Sequence, residues 1–364
     1  MYDKIIDNNN PHSNLKVQPP INQPSQINKE CLAHLKPKKR SVEEYVGGIL
    51  EGNRTILSQA ITLVESSLYE HQHMAQQIIE KCLPYAGKSI RVGITGVPGV
   101  GKSTTIEALG TSLTAKGHRL AVLAIDPSSE KTKGSILGDK TRMETLANDP
   151  NSFIRPSPSA GSLGGVARKT REIIVLCEAA GFDIVFVETV GVGQSEVAVA
   201  SMVDFFLLLQ LANAGDELQG IKRGIMEMAD AISINKADGD NKQLCELAAQ
   251  QYRNALALFP ASESGWKPVV FTSSAYTLEG IDKIWENVTK YVQITKANGY
   301  FESKRNEQNL RILSETIDFY LKEGFYNNDK IKDLLEKSRQ DVLANKISAY
   351  VAAQNLVREY FQTK

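Results

Sequence analysis

Residues 96–103 read Gly96-Val97-Pro98-Gly99-Val100-Gly101-Lys102-Ser103, a complete Gly-x-x-x-x-Gly-Lys-Ser phosphate-binding loop. The spacing has a mechanical basis. Its glycines let successive backbone N–H groups turn inward as an anion nest, Lys102 reaches the outer phosphates, and the Ser103 hydroxyl offers a magnesium ligand, with Thr104 beside it in the cradle. The flanks agree: Ile90–Thr95 (Ile-Arg-Val-Gly-Ile-Thr) reads as a strand, and Ser103–Lys116 carries Ile106, Leu109 and Leu113 at helical spacing before Gly117. A loop between strand and helix aims the helix N-terminus at the phosphates, so a nucleoside triphosphate is the first ligand to test.

Outward from the loop, short apolar runs alternate with helical stretches from Ile90 to Tyr291: Leu120–Ile125, Ile184–Val187, Phe205–Leu209, Ala231–Ile234 and Val269–Phe271. Strands separated by helices imply an α/β domain with a mainly parallel sheet covered on both faces, the class of the P-loop NTPases. Upstream, Ile49, Ile56, Ala60, Ile61, Val64 and Leu68 make an apolar stripe between Val42 and Cys82, a helical lead-in. Beyond Lys304 come charged helices, with Leu310, Leu313, Ile317, Tyr320 and Leu321 on one face and Ile331, Leu334 and Leu335 on another. Such an appendage either packs on its own domain or binds a second copy. The expected organisation is a disordered tail over 1–41, the lead-in over 42–88, the nucleotide domain over 89–300 and a helical extension over 301–364.

Composition excludes several classes of function. The 364 residues balance 42 basic against 42 acidic side chains, and beyond the Lys36–Arg40 cluster the basic residues are dispersed, so nothing marks a nucleic-acid footprint. No apolar stretch is long enough to span a membrane. The four cysteines, Cys31, Cys82, Cys177 and Cys245, include no Cys-x-x-Cys pair and fit a reduced cytosol. Cys31 and His34 lack a second pair to complete a metal site, and His71 and His73 would point about 200° apart on a helix. The first 45 residues are rich in Asn, Pro and Gln and have no arginine before Arg40, which is neither a signal peptide nor an arginine-rich transit peptide.

A second layer of chemistry follows the run Ala231-Ile-Ser-Ile: Asn235-Lys236-Ala237-Asp238, a polar Asn-Lys-x-Asp at a strand end. The Asp238 carboxylate can accept hydrogen bonds from guanine N1–H and the 2-amino group, whereas adenine presents an acceptor at N1 and lacks the amine. Alone, four residues also read as the first turn of a helix; downstream of a complete phosphate loop they select guanine. Thr272-Ser273-Ser274-Ala275-Tyr276 fits a backbone support for the guanine carbonyl, assigning Ser274, Ala275 and Tyr276 to the base. Magnesium needs hard oxygens beyond Ser103. Asp126 at the end of Leu-Ala-Val-Leu-Ala-Ile, Asp139 in Gly-Asp-Lys-Thr-Arg, and Glu188 at the end of Ile-Val-Phe-Val are the candidates. Gly191 follows Glu188 where a backbone N–H could meet the γ-phosphate.

Taken in order, Gly-Val-Pro-Gly-Val-Gly-Lys-Ser, Ala-Ile-Asp-Pro-Ser-Ser, Gly-Asp-Lys-Thr-Arg-Met, Val-Glu-Thr-Val-Gly-Val-Gly-Gln-Ser-Glu, Gly-Asp-Glu-Leu-Gln-Gly-Ile-Lys-Arg-Gly-Ile-Met-Glu and Asn-Lys-Ala-Asp resemble the methylmalonyl-CoA mutase-associated GTPases of MeaB/ArgK type, from about Val42 to the C-terminus. The resemblance implies a cytoplasmic GTPase that cycles between GTP and GDP with Mg²⁺, in which Lys102, Asp126 and Glu188 carry catalysis. It further implies a homodimer held in part by the C-terminal helices, serving an adenosylcobalamin-dependent acyl-CoA mutase by gating cofactor loading and protecting or reactivating it. The family's switches would fall on Asp126–Arg142, Glu188–Glu196 and Gly215–Lys222. Asp216, Glu217, Gln219 and Lys222 would couple hydrolysis to the partner, and Gln194 is a candidate for positioning water. The alternative is an ATP-using kinase or ATPase coupled to basic amino-acid transport, against which the intact Asn-Lys-x-Asp argues.

Overall fold

The expected strands form and one more joins them. In the computed structural model, β1 (Ile90–Gly96), β2 (Leu120–Asp126), β3 (Ser152–Pro158), β4 (Ile184–Thr189), β5 (Phe205–Gln210), β6 (Ala231–Ile234) and β7 (Val269–Thr272) pair in the order β3-β2-β4-β1-β5-β6-β7. Every pairing is parallel. The structure describes residues 40–126, 143–158, 163–189, 195–212, 223–260 and 262–362.

Strand alternation divides the core into layers. Val92, Ile94, Phe186 and Leu207 face α4 (Lys102–Ala115) and α10 (Ile281–Ala297), whereas Leu123, Val185, Val187 and Phe206 face α1 (Val42–Leu50), α2 (Arg54–Glu65), α3 (Tyr69–Cys82) and α6 (Leu163–Ala179). The lead-in helices are thus part of the wall of the domain. Asn53 starts α2 by accepting the Thr55 and Ile56 N–H groups. The lead-in stripe is anchored by Leu57, Ile61 and Val64; Leu68, expected on it, falls in the break before α3 and is exposed. The third layer packs α9 (Lys242–Leu256) on β6 and β7 through Ile232, Ile234, Ala248 and Tyr252. Short helices α5 (Glu144–Asn148), α7 (Ser195–Ala200) and α8 (Arg223–Met228) complete the connections.

The chain ends in α11 (Tyr300–Tyr326), α12 (Asp329–Leu343) and α13 (Ala349–Gln362). The start of α11 is pinned to the N-terminal edge of the sheet. Arg305 donates to both carboxylate oxygens of buried Asp204, at 2.8 and 2.7 Å, and to the Ser89 carbonyl, at 2.6 Å. Arg91 in β1 forks onto buried Glu178, at 2.9 and 3.0 Å. Farther along, Leu310, Leu313, Ile317, Tyr320 and Leu321 are 49–66% exposed, so this half of α11 carries an uncovered apolar stripe. No helix among the described residues is long and apolar enough to cross a membrane.

Candidate functional site

The phosphate loop leaves β1 at Gly96 and enters α4 through Gly101, whose φ of +97° is a left-handed conformation that a side chain resists. The loop folds on itself: the Val100 N–H donates to Val97 O at 3.2 Å, and Lys102 Nζ donates to the carbonyls of Gly96 (2.8 Å) and Val97 (3.2 Å). Lys102 is buried. Desolvation pushes its ammonium below the ordinary lysine range, while the negative charges of Glu188 and Glu196 act in the opposite sense. A buried cation that already sits over carbonyl oxygens is a fitting receptor for phosphate oxygens. Thr104, on the first turn of α4, is exposed.

Sheet register sets the carboxylates. Glu188 in β4 pairs with Ile94 of β1 on one side and Ala124 of β2 on the other, and alternation sends its side chain to the α4 face. There Ser103 Oγ donates to Glu188 Oε1 at 3.1 Å. Octahedral Mg²⁺ with bonds of 2.0–2.1 Å holds neighbouring ligand oxygens about 2.9 Å apart, so this hydroxyl–carboxylate pair suits adjacent positions on such an ion. Asp126 ends β2 at the same edge of the sheet. The side chain of Asp126, and Asp139, Gly191, Gln194, Asp216, Glu217, Gln219 and Lys222, lie outside the described residues, as do Cys31 and His34. His71 and His73 are engaged elsewhere, with Ser66 Oγ (2.9 Å) and Gln77 (3.2 Å). No group of three or more potential metal ligands from His, Cys, Asp and Glu occurs among the described residues.

The base motif lies against the phosphate loop. Asn235, fully enclosed at the end of β6, donates from Nδ2 to Val100 O at 2.8 Å and to Thr105 Oγ1 at 3.4 Å, and its Oδ1 accepts from Ser273 Oγ at 3.4 Å. The approach is so close that a Cβ on Gly101 would stand 2.7 Å from Asn235 Nδ2. Lys236 takes a φ of +60°, turning the chain so that Asp238 faces Ser274, whose hydroxyl donates to Asp238 Oδ2 at 2.5 Å. Ser274 is buried, Ala275 half-buried and Tyr276 exposed. Sequence reading gave no role to Thr105 or Ser233 and took Ser273 only as part of the stretch supporting the base; Thr105 Oγ1 and Ser273 Oγ both meet Asn235. Ser233 Oγ and Ser273 Oγ lie 2.6 Å apart between β6 and β7. The one signal was a serine inside the apolar run Ala-Ile-Ser-Ile.

Comparison with known proteins gives the family and the fold. The family described as "Methylmalonyl Co-A mutase-associated GTPase MeaB" matches residues 57–329. A probable GTPase of Mycobacterium tuberculosis is 47% identical over 317 residues, covering 87% of this chain and 94% of its own length. GTPase ArgK of Escherichia coli is 43% identical over 324 residues, covering 89% and 98%. A crystal structure of a LAO/AO transport system kinase matches with a TM-score of 0.70 at 37% identity, over 88% of this chain and 97% of that one. The fold is that of the P-loop GTPases.

Proposed function

Because the chain belongs to the family of methylmalonyl-CoA mutase-associated GTPases and is a GTP hydrolase, we propose that its turnover times the service of an adenosylcobalamin-dependent acyl-CoA mutase, methylmalonyl-CoA mutase first among them. Nucleotide state gates cofactor loading and protects or reactivates the mutase. The observation that carries the nucleotide half of this reading is the Asn235–Val100 bond of 2.8 Å, which supports taking the Asn-Lys-x-Asp motif and the phosphate loop as two parts of one nucleotide site. A guanine nucleotide held at one end is thereby registered at the other.

In this reading the backbone from Gly96 to Thr104 cradles the phosphates, and Lys102 neutralises charge on the outer ones. Asn235, Lys236 and Asp238 hold guanine with Ser274, Ala275 and Tyr276. Ser103 and Glu188, with Asp126 and Asp139, would hold Mg²⁺, which when bound neutralises charge developing on the phosphate oxygens. Phosphoryl transfer needs positioning and charge neutralisation rather than a covalent nucleophile, and these residues supply both. The exposed α11 stripe supports a homodimer. A cytoplasmic location accords with the buried free thiols of Cys82, Cys177 and Cys245.

The test is GTP turnover by the purified chain with and without a purified acyl-CoA mutase, beside Lys102→Ala and with ATP in place of GTP. The expected result is turnover that the mutase accelerates and Lys102→Ala abolishes. No acceleration by any acyl-CoA mutase of the same organism removes the chaperone role. Preference for ATP with phosphate transfer to a transport protein would establish the transport-coupled alternative instead.

A further inference from the structure

Helix α7 is held at both ends. Its first turn carries Glu196, 2% exposed, whose charge acts on Lys102. On its inner side it packs against β1 so closely that a Cβ at Gly93 would lie 2.9 Å from Val199 Cγ1. At its far end Ser201 Oγ donates to Ala198 O at 2.7 Å and accepts from Arg171 Nη2 at 2.8 Å. Arg171, on α6 and 8% exposed, directs its other terminal nitrogen, Nη1, onto Glu315 of α11. One guanidinium thus joins the helix beside the nucleotide site to the helix that bears the uncovered apolar stripe. Glu315 sits among the stripe residues in sequence, between Leu313 and Ile317.

Two further observations mark this junction as able to shift. Arg171 Nε is buried with no hydrogen-bond partner among the described residues, an unsatisfied donor that another pose of the side chain could satisfy. Beside it, a cavity of about 850 Å³ opens between α3, α6 and α11, lined by Ile79, Ile174, Met202, Gln308 and Ile312 among others. The cavity leaves the α6–α11 contact incompletely packed beside Arg171.

We propose that Arg171 is a positioning residue that couples the seating of α11 to the placement of α7, and through Glu196 and Lys102 to GTP turnover. Whatever covers the α11 stripe, a second copy of this chain first, bears on the helix that holds Glu315. The fork of Arg171 passes that displacement to Ser201 and α7. The inference rests on reading Lys102, Glu188 and Glu196 as parts of the GTP site, and it does not depend on the mutase.

The experiment is steady-state GTP turnover by the full chain for Glu315→Gln, Ser201→Ala, Arg171→Lys and the double variant Arg171→Lys/Glu315→Gln. Melting temperature and sedimentation are measured on each protein. Arg171→Lys keeps the charge and loses the two-pronged geometry. Glu315→Gln and Ser201→Ala, at partly exposed positions, leave folding intact should Arg171→Lys not. The expected result is a change in kcat of about two- to thirtyfold, the range of coupling through packed networks, with KM for GTP held. The double variant should do no more than the larger single change, because both break one link. Unchanged kcat in both Glu315→Gln and Ser201→Ala, or additive effects in the double variant, overturns the coupling. Lys102→Ala separates the failures: if it abolishes turnover while the Arg171 set does nothing, only the coupling is wrong; if it leaves turnover intact, the assignment of the GTP site is wrong.

Discussion

Replacing Gly101 by alanine tests whether the base reader and the phosphate cradle are one unit. At φ +97° an L-residue is strained, at a cost of about 1–2 kcal/mol. The new Cβ also stands 2.7 Å from Asn235 Nδ2, so the amide must leave the Val100 carbonyl it now meets at 2.8 Å. A buried carbonyl stripped of its donor costs about 1–3 kcal/mol, which brings the total to about 2–5 kcal/mol. In an Asn235→Ala background the clash is gone and the carbonyl has already lost its donor. There Gly101→Ala costs only the strain, and the difference between backgrounds, about 1–3 kcal/mol, is the energy of the junction. Urea unfolding followed by Trp266 and Trp285 fluorescence gives the four stabilities, and titration with a nonhydrolysable GTP analogue gives the four affinities. Gly101→Ala should weaken binding in the Asn235 background far more than in the alanine one. Equal costs in both backgrounds would refute the reasoning, because they would mean that Asn235 does not constrain the loop.

Other perturbations read other parts of the molecule. Asp238→Ala should weaken GTP by about ten- to a hundredfold, the loss of hydrogen bonds to a charged acceptor, and leave ATP binding unchanged in calorimetry; an unaltered ratio of GTP to ATP affinity would remove Asp238 from the base site. Burial pushes the Asp230 carboxyl above the usual aspartate range, with Lys304 and the Phe206 N–H countering it. The folded chain therefore holds that proton more tightly than the unfolded one. This contribution to stability is full below the ordinary aspartate pKa and is lost as pH rises through the raised value. Asp230→Asn, which keeps an oxygen for the Phe206 N–H, should flatten that part of the profile and gain melting temperature on its alkaline side; parallel profiles for the two proteins would count against it. Leu313→Asp with Ile317→Asp should give a monomer in sedimentation velocity if the α11 stripe is the dimer seam, and an unchanged sedimentation coefficient would place the seam elsewhere.

What the sequence made legible follows from how local each signal is. Gly96–Ser103 and Asn235–Asp238 are short, and their chemistry demands fixed residue types at fixed spacing, so both could be read without a structure. Strand β3 was not anticipated, because Arg155, Pro156 and Pro158 interrupt its apolar run. It forms nonetheless at the edge of the sheet, pairing only with β2, where a missing N–H is tolerated. Leu68 misled in the opposite sense, since its spacing continues the helical period across a break that the backbone makes at Ser66. Ser233 is a single hydroxyl in an apolar run, and Thr105 and Ser273 each stand among other hydroxyls from which spacing does not single them out. Arg171 and Glu315 are 144 positions apart. Nothing in one dimension announces such partners; the fold makes them neighbours.

The grip of Arg305 bears on how this chain is made. Its guanidinium closes on Gly87 O across 218 residues, and on Asp204 across 101. During synthesis, β1, α6 and β5 therefore emerge with Asp204 lacking its cation, and the edge of the sheet is finished only when α11 arrives. A fragment ending at residue 300 would retain every nucleotide motif yet lose the guanidinium that closes on Asp204, leaving the carboxylate to the Arg91 N–H at 2.8 Å. That edge of the sheet is thus completed by an arginine synthesised after every nucleotide motif.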